Sequence, residues 1–324
     1  MVIWSTRRTL QAIGVLLAMS VIVFAGVFAI GNPADILLSP DADQEERARV
    51  IAQFGFDQPL WRQYLTFLAN LLQGDLGRSF VFNEPAIQLI LQKMPATMEL
   101  AIFALLISIA VGVPAGLYCG LRPDTPLARG LMAASIFGFS MPSFWVGMLL
   151  IMIFGVQMGI LPTTGRGATV EVLGIEWSFL TWDGLKHLLL PGINLALFKA
   201  AIIMRLTRAG VREILPLDFI RFARAKGLAS RRIIGVHVMR NIMIPIVTVV
   251  GIEFGSMIAF AVVTESIFSW PGMGKLIIDS INLLDRPVIV SYLMIVVVLF
   301  TVINLVVDLL YTALDPRVRL DEQE

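Results

Sequence analysis

Six long apolar stretches restrict this chain to a membrane fold. About 20 apolar residues in an α-helix cross roughly 30 Å of hydrocarbon. The composition agrees, since 57% of the 324 residues are hydrophobic and 15% are charged, whereas about 25% are charged in soluble domains. We therefore predict an all-α polytopic membrane protein with six transmembrane helices. The predicted spans are residues 10–30, 98–118, 131–154, 187–204, 242–263 and 288–310.

The first stretch is predicted to remain as an anchor. Arg7 and Arg8 precede it, as positive residues precede the apolar part of a secretory signal. Its apolar run of about 21 residues is longer than the roughly 7–15 of such signals, and no clear small-residue cleavage site follows. Residues 1–31 are therefore expected to be an N-terminal transmembrane anchor helix.

Positive charge between the spans predicts the topology. Short loops that are rich in Lys and Arg stay in the cytoplasm. All the basic segments agree on a multi-pass arrangement with both termini cytoplasmic. These segments are Arg7 and Arg8, Arg122 and Arg129, residues 205–240, and Arg317 and Arg319.

Residues 205–240 contain a short, isolated helix. Nine Lys or Arg and only two acids occur in this segment. Asp218 is a good N-cap and Gly227 a good residue after a helix end, so residues 219–226 are predicted to form two turns. Helical periodicity places Phe219, Ile220, Phe222 and Ala223 on one face and Arg221 and Arg224 on the other.

Such a short helix needs a surface to pack on, because helices of this length are unstable alone. A docking element for another protein is one interpretation. An amphipathic helix on the lipid surface is the other, because basic amphipathic segments also bind membranes. The residues alone do not choose between the two.

Two charged residues fall inside predicted spans. Lys199 lies near the middle of the fourth and Glu253 near the middle of the fifth. Charges at such depth are costly and usually face a cavity or a partner. Lys199 and Glu253 are expected either to pair with each other or to line a translocation path, and a purely structural ion pair stays open as an alternative. They also favour the competing class of transporter, one that is driven by an ion gradient.

No catalytic or metal-binding constellation is predicted. One cysteine, Cys119, excludes an intrachain disulfide, and two distant histidines do not suggest a metal centre. Ser140 has no suitable histidine partner for hydrolysis. No phosphate-binding loop is present, so an energy source would have to lie on another subunit. Glu99 is expected at an outer membrane boundary, where its charge reaches water, and Trp270 in an interfacial belt.

Motifs along nearly the whole chain carry a family resemblance. The sequence resembles permease subunits of ATP-binding-cassette (ABC) importers of type I, in the dipeptide, oligopeptide and nickel branch. The motifs are Phe54-Gly55-Phe56-Asp57-Gln58-Pro59-Leu60, Gly74-Asp75-Leu76-Gly77-Arg78-Ser79, Pro95-Ala96-Thr97-Met98-Glu99-Leu100, Met141-Pro142-Ser143-Phe144-Trp145, Gly159-Ile160-Leu161-Pro162, Ala223-Arg224-Ala225-Lys226-Gly227-Leu228, Phe268-Ser269-Trp270-Pro271-Gly272-Met273-Gly274, Asp308-Leu309-Leu310-Tyr311 and Asp315-Pro316-Arg317.

The resemblance implies a cytoplasmic coupling helix that docks on an ATPase. In that family the helix belongs to a Glu-Ala-Ala motif followed by Gly; here Arg221, Phe222 and Ala223 fill the triplet, so only Ala223 and Gly227 match. The implied ATPase-coupling residues are Asp218, Phe219, Arg221, Phe222, Ala223, Arg224, Ala225, Lys226 and Gly227.

The resemblance also implies partners and cargo. Expected partners are a second permease subunit, one or two cytoplasmic ATPases that bind ATP and Mg, an external solute-binding protein and the bilayer of a bacterial inner membrane. No cofactor on this chain and no nucleic acid are expected. Short peptides are the expected cargo, with nickel, glutathione or oligosaccharide as alternatives.

The expected organisation has four parts. After the anchor, residues 32–97 form an external helical insertion, with helical patterns at 45–56 and 61–72. Residues 98–314 form the permease core, which contains the coupling segment 205–240. Residues 315–324 form a cytoplasmic tail.

Overall fold

The computed structural model describes residues 2–29, 44–45, 52 and 57–314. Most of the helical pattern predicted at 45–56, and the tail 315–324, lie outside the described residues. The elements are α1 (Val2–Ala29), α2 (Leu60–Leu72), α3 (Ala86–Leu121), α4 (Pro126–Ser140), α5 (Ser143–Gln157), β1 (Val170–Val172), β2 (Ile175–Trp177), α6 (Trp182–Ile214), α7 (Asp218–Ala225), α8 (Ser230–Ile267), α9 (Met273–Asn282) and α10 (Arg286–Leu314).

The helices confirm a membrane fold, although not six matching spans. Among the described residues, four helices are long and apolar enough to cross a membrane: α3, α6, α8 and the Arg286–Val307 part of α10. The bent pair α4 and α5 gives a fifth if it counts as one span. The apolar part of α1, Ile13–Gly26, is shorter than these. The strands β1 and β2 are a small addition to the predicted all-α fold.

The predicted third span, 131–154, is broken. The axes of α4 and α5 are bent by 108° between Ser140 and Ser143. Pro142 is the cause, because a proline disfavours the helical conformation of the residue before it. Met141 is accordingly extended, with φ −85° and ψ 140°. The predicted span is therefore built from two helices with a sharp bend between them.

The chain packs as two compact units. The first comprises Met1–Pro95 and Gly272–Thr301, and the second Ala96–Pro271 and Val302–Glu324. These units reflect which residues pack together. They do not test the four-part organisation inferred from the sequence, which stays a prediction.

The first unit has a small apolar core and an anchored loop. Val23 of α1 packs with Val290 and Met294 of α10, and Phe67 and Leu71 of α2 cover them. The loop before α3 is held by the buried carboxylate of Asp285, the residue before α10. This carboxylate accepts hydrogen bonds from the Ser79 hydroxyl and from the backbone N–H groups of Phe80 and Val81 in the loop. This carboxylate therefore holds the loop in place.

Helices α3 and α6 of the second unit approach closely along a row of glycines. Gly112, Gly116 and Gly120 lie four residues apart on one face of α3. A β-carbon at Gly112 would stand 2.9 Å from the Ala200 carbonyl oxygen, and one at Gly116 would overlap the backbone of Met204. Small residues in such rows permit close packing of membrane helices. The row thus fixes the position of α6, which carries Lys199.

Strands β1 and β2 form an antiparallel hairpin in the second unit. Val170 pairs with Trp177, Glu171 with Glu176 and Val172 with Ile175. A two-stranded hairpin is marginally stable alone, so it needs an anchor on the rest of the unit. That anchor is Arg166, whose Nη2 donates to the Glu176 carbonyl oxygen at 2.6 Å.

Candidate functional site

Helix α7 forms where the sequence predicted a short helix, displaced by one residue. It begins at Asp218 because Leu217 is extended, with φ −68° and ψ 149°. Asp218 therefore occupies the first turn and does not cap the helix; its Oδ1 is 3.5 Å from Arg221 Nη1 in a highly exposed pair. Gly227 follows the helix with φ +77°, a conformation that glycine adopts without strain.

The apolar residues of α7 divide between two directions. Ile220 and Ala223 are buried in a cluster of α6 and α8 side chains, whereas Phe219 is 41% and Phe222 61% exposed. The prediction that these four share one face was therefore too simple: adjacent positions on a helix differ by about 100°. The inner partners are Val211, Ile233, Val238, Ile242 and Ile246.

The exposed side of α7 also carries positive charge. Lys226 Nζ lies 4.6 Å from the centre of the Phe222 ring. Arg221, Arg224 and Ala225 are also exposed. The outer surface of α7 thus combines two apolar rings with positive charge, which suits an apolar groove with an acidic rim.

Lys199 and Glu253 form an ion pair between α6 and α8. Lys199 Nζ is 2.5 Å from Glu253 Oε2 and 2.7 Å from Ser256 Oγ. The Ser256 hydroxyl is in turn 3.0 Å from Glu253 Oε2. We refer to Lys199, Glu253 and Ser256 as the polar cluster. The pairing is observed, and a role in a translocation path remains a prediction.

The polar cluster is only partly enclosed. The Lys199 side chain is 16% and the Glu253 side chain 15% exposed. A charged residue at the centre of a membrane helix costs about 2.5–3.5 kcal/mol on insertion scales. Pairing offsets part of this cost, and the open sides require water or a polar partner beside them.

Glu99, unlike Glu253, is almost fully enclosed by protein, so the expectation that its charge reaches water was wrong. Its side chain is 1% exposed. Oε1 accepts hydrogen bonds from the backbone N–H groups of Ser178 and Phe179 at 2.7 and 2.8 Å. Oε2 accepts from Arg166 Nε at 3.0 Å and Nη2 at 2.6 Å. The carboxylate joins α3 to the loop between α5 and α6.

Trp270 completes this anchor from inside the protein. The Arg166 guanidinium lies 5.8 Å from the centre of the Trp270 ring. Trp270 is fully buried, and its Nε1 donates to the Ala96 carbonyl oxygen at 2.9 Å. The expectation that Trp270 belongs to an interfacial belt was therefore wrong. We call Glu99, Arg166 and Trp270 the Glu99 anchor.

Two residues of these sites, Ser256 in the polar cluster and Arg166 in the Glu99 anchor, were not predicted from the sequence. Ser256 was detectable, because it lies three residues after Glu253 on one helix and such residues are neighbours. Arg166 carried no comparable signal, since 67 residues separate it from Glu99.

Comparison with known proteins identifies the class. The family model described as "Binding-protein-dependent transport system inner membrane component" matches residues 112–320, and the model of its N-terminal part matches residues 1–101. Together these cover most of the chain. The chain therefore belongs to this family, the inner-membrane permease subunits of ABC importers.

Individual relatives agree with this assignment. The chain is 38% identical to the dipeptide transport system permease protein DppB of Alkalihalophilus pseudofirmus, over 98% of this chain and 100% of the relative. It is 36% identical to the glutathione transport system permease protein GsiC of Escherichia coli, with 97% of each chain covered. A solved structure of the MetNI methionine ABC transporter shares the fold, with TM-score 0.55 and 17% identity over 70% of this chain and 97% of that chain.

Proposed function

We propose that this chain is one of two permease subunits of an ATP-driven importer of short peptides. An external solute-binding protein delivers the peptide, and one or two cytoplasmic ATPase subunits bind ATP and Mg and supply the energy. The permease relatives named for dipeptides and glutathione support this cargo class. Nickel and oligosaccharide are the alternatives within the same family.

Helix α7 is the proposed contact with the ATPase. The observation that carries this proposal is the division of its apolar residues, with Ile220 and Ala223 in the core and Phe219 and Phe222 outside. The inner pair fixes the helix on α6 and α8, so a displacement of α7 moves the membrane helices with it. The proposed docking surface consists of this outer pair, the neighbouring cations Arg224 and Lys226, and the helix exit at Gly227.

Co-purification tests the docking surface. The chain is purified in mild detergent from its native cells, and partner proteins are identified and quantified by mass spectrometry. Phe222→Asp is expected to reduce ATPase recovery at least about tenfold, which corresponds to about 1.4 kcal/mol of lost binding free energy. Recovery of the second permease is expected to stay unchanged, because Phe222 contributes nothing to the buried core.

A matched control separates docking from a general effect of charge. Leu173 at the hairpin turn is 97% exposed, and Leu173→Asp is expected to leave ATPase recovery unchanged. Equal ATPase recovery with Phe222→Asp and wild type would reject α7 as the docking element. It would favour a lipid-surface role, testable by flotation with anionic vesicles.

Uptake of peptide tests the cargo. The complete transporter is reconstituted into liposomes with its binding protein, and uptake of radiolabelled alanyl-alanine is followed with and without ATP inside the liposomes. ATP-dependent uptake is expected. Uptake that needs a proton or sodium gradient and no ATP would instead support the gradient-driven alternative.

We propose that the protein lies in a bacterial inner membrane, with both termini and residues 205–240 on the cytoplasmic side. The four-part division, with the anchor 1–31, the external insertion 32–97, the core 98–314 and the tail 315–324, accompanies this orientation. Lys199 and Glu253 are proposed to line the translocation path. Modification of cysteines introduced at Leu173 and Phe222 by membrane-impermeant reagents, applied from each side, tests the sidedness.

A further inference from the structure

The polar cluster has unused hydrogen-bonding capacity on both of its charged groups. An ammonium group has three protons, and two of those on Lys199 point to Glu253 and Ser256. Glu253 Oε2 receives both contacts to its carboxylate, whereas Oε1 accepts from no residue that the structure describes. Within the part of the chain that the structure describes, each member of the ion pair therefore keeps one hydrogen-bonding position without a protein partner, a donor on Lys199 and an acceptor on Glu253.

These free groups lie on helices that span the membrane. Both side chains keep about one seventh of their surface exposed, and charged surface in a span faces a cavity or a polar partner, not lipid. The Glu99 carboxylate of the same unit shows that the chain is able to enclose a carboxylate fully. The opening at Glu253 is thus a local property of the polar cluster.

The charge pattern restricts what the opening accepts. A simple cation would satisfy Glu253 alone and an anion Lys199 alone, and either would add net charge to a site within the membrane. A zwitterion satisfies both groups and adds no net charge. Free short peptides are zwitterions at neutral pH, because their carboxyl pKa is about 3.3–3.7 and their amino pKa about 7.7–8.0.

We infer that the polar cluster is a transient binding site for zwitterionic cargo on the translocation path. The cargo carboxylate accepts a hydrogen bond from Lys199, and the cargo ammonium donates to Glu253. Ser256 holds the Lys199 and Glu253 side chains next to each other while the cargo binds and leaves. This inference rests on the proposed function, since it assumes that the cargo is a short peptide.

The first test removes both charges together. Replacing both members of a buried pair usually preserves stability, whereas removing one leaves an uncompensated charge. In Lys199→Met/Glu253→Gln we expect normal assembly with the partner subunits and a fall of at least about tenfold in alanyl-alanine uptake, which corresponds to about 1.4 kcal/mol. Normal uptake by the assembled double variant would reduce the pair to a structural role and overturn the inference.

A matched control removes an ion pair elsewhere. Lys275 and Asp279 form an i,i+4 pair whose side chains are 36% and 44% exposed. Lys275→Met/Asp279→Asn is expected to keep wild-type uptake. An equal loss of uptake in this control would show that the effect is not specific to the polar cluster, and it would also overturn the inference.

A second measurement does not depend on uptake or on removal of charge. Cys119 is buried and is the only cysteine in this sequence, so Ser256→Cys in a Cys119→Ser background gives this subunit one defined thiol, and its modification is followed on this subunit. Its rate of modification by a charged methanethiosulfonate reagent is measured in the complete transporter. Alanyl-alanine is expected to slow the reaction several-fold, whereas acetyl-alanyl-alanine amide, which has neither terminal charge, is expected to leave it unchanged.

The outcomes separate this inference from the proposed function. A thiol that never reacts, or one that reacts equally with and without alanyl-alanine, would overturn the inference while peptide uptake by wild type still supports the function. Equal protection by the uncharged derivative would also overturn it. Absence of ATP-dependent peptide uptake in wild type would overturn the proposed cargo itself.

Discussion

Glu99 and Glu253 are carboxylates of the same compact unit, and each faces a cation, yet their surroundings differ. Glu99 accepts four hydrogen bonds and is 1% exposed. Glu253 uses one oxygen and is 15% exposed. A carboxylate whose two oxygens both accept hydrogen bonds from protein holds chain segments together. A carboxylate with one oxygen unused retains an acceptor for a further donor. The hydrogen-bond inventory, more than the presence of an ion pair, distinguishes the two.

The largest effect is expected at the closed site. Glu99→Gln replaces one of the two carboxylate oxygens with an NH2 group, which donates and cannot accept, and it removes the negative charge opposite the Arg166 guanidinium. Breaking a buried pair in this way costs about 3–5 kcal/mol of unfolding free energy, measurable by SDS titration monitored by circular dichroism. Glu171→Gln, on the exposed strand β1, is the control and should cost almost nothing. Equal stability of both variants would contradict the comparison.

A smaller effect is expected at the open site. Glu253→Gln removes the charge opposite Lys199, but the partial exposure lets water compensate. We expect a loss of about 2 kcal/mol in unfolding free energy, the scale of a hydrogen bond to a charged group. Adding Lys199→Met should restore most of this loss. A double variant that is less stable than Glu253→Gln would show that the two groups do not act as a pair.

Arg166→Lys tests the geometry of the closed site while keeping its charge. Lysine cannot donate to Glu99 through two nitrogens held in one plane, as Arg166 does with Nε and Nη2. We expect a loss of about 1–2 kcal/mol, together with faster protease cleavage between β1 and α6. Wild-type cleavage rates would indicate that charge alone holds this loop.

The smallest effect is expected for Ser256→Ala. It removes one hydroxyl from the polar cluster and should cost about 1 kcal/mol of unfolding free energy. Ser140→Ala is the matched control, because the Ser140 hydroxyl donates to the Ile136 carbonyl oxygen within its own helix. A larger loss in Ser140→Ala than in Ser256→Ala would argue against the importance of the cluster.

The predictions that succeeded rested on local signals or on ordered motifs. The cost of charge in a membrane singled out Lys199 and Glu253, and their pairing was one of the stated alternatives. Turn chemistry located the end of α7 at Gly227. The family resemblance, carried by ordered motifs, led to the class that the comparisons confirm.

Features that depend on distant residues were not accessible in this way. Glu99 and Trp270 were assigned by their position near a predicted boundary, but their partners come from other parts of the chain and bury them. The break at Pro142 had a local signal, which the continuous hydropathy of 131–154 outweighed. The division of α7 into inner and outer pairs depends on α6 and α8, which the helical pattern alone does not include.

The division within α7 also separates evolutionary constraints. Ile220 and Ala223 are committed to the protein's own interior, so substitutions there must preserve volume and apolarity. Phe219 and Phe222 are 41% and 61% exposed, so substitutions there are less restricted by the protein's own interior. With the docking role proposed above, exchange of the ATPase subunit would require substitutions only at the outer positions, while the inner positions keep α7 packed on α6 and α8.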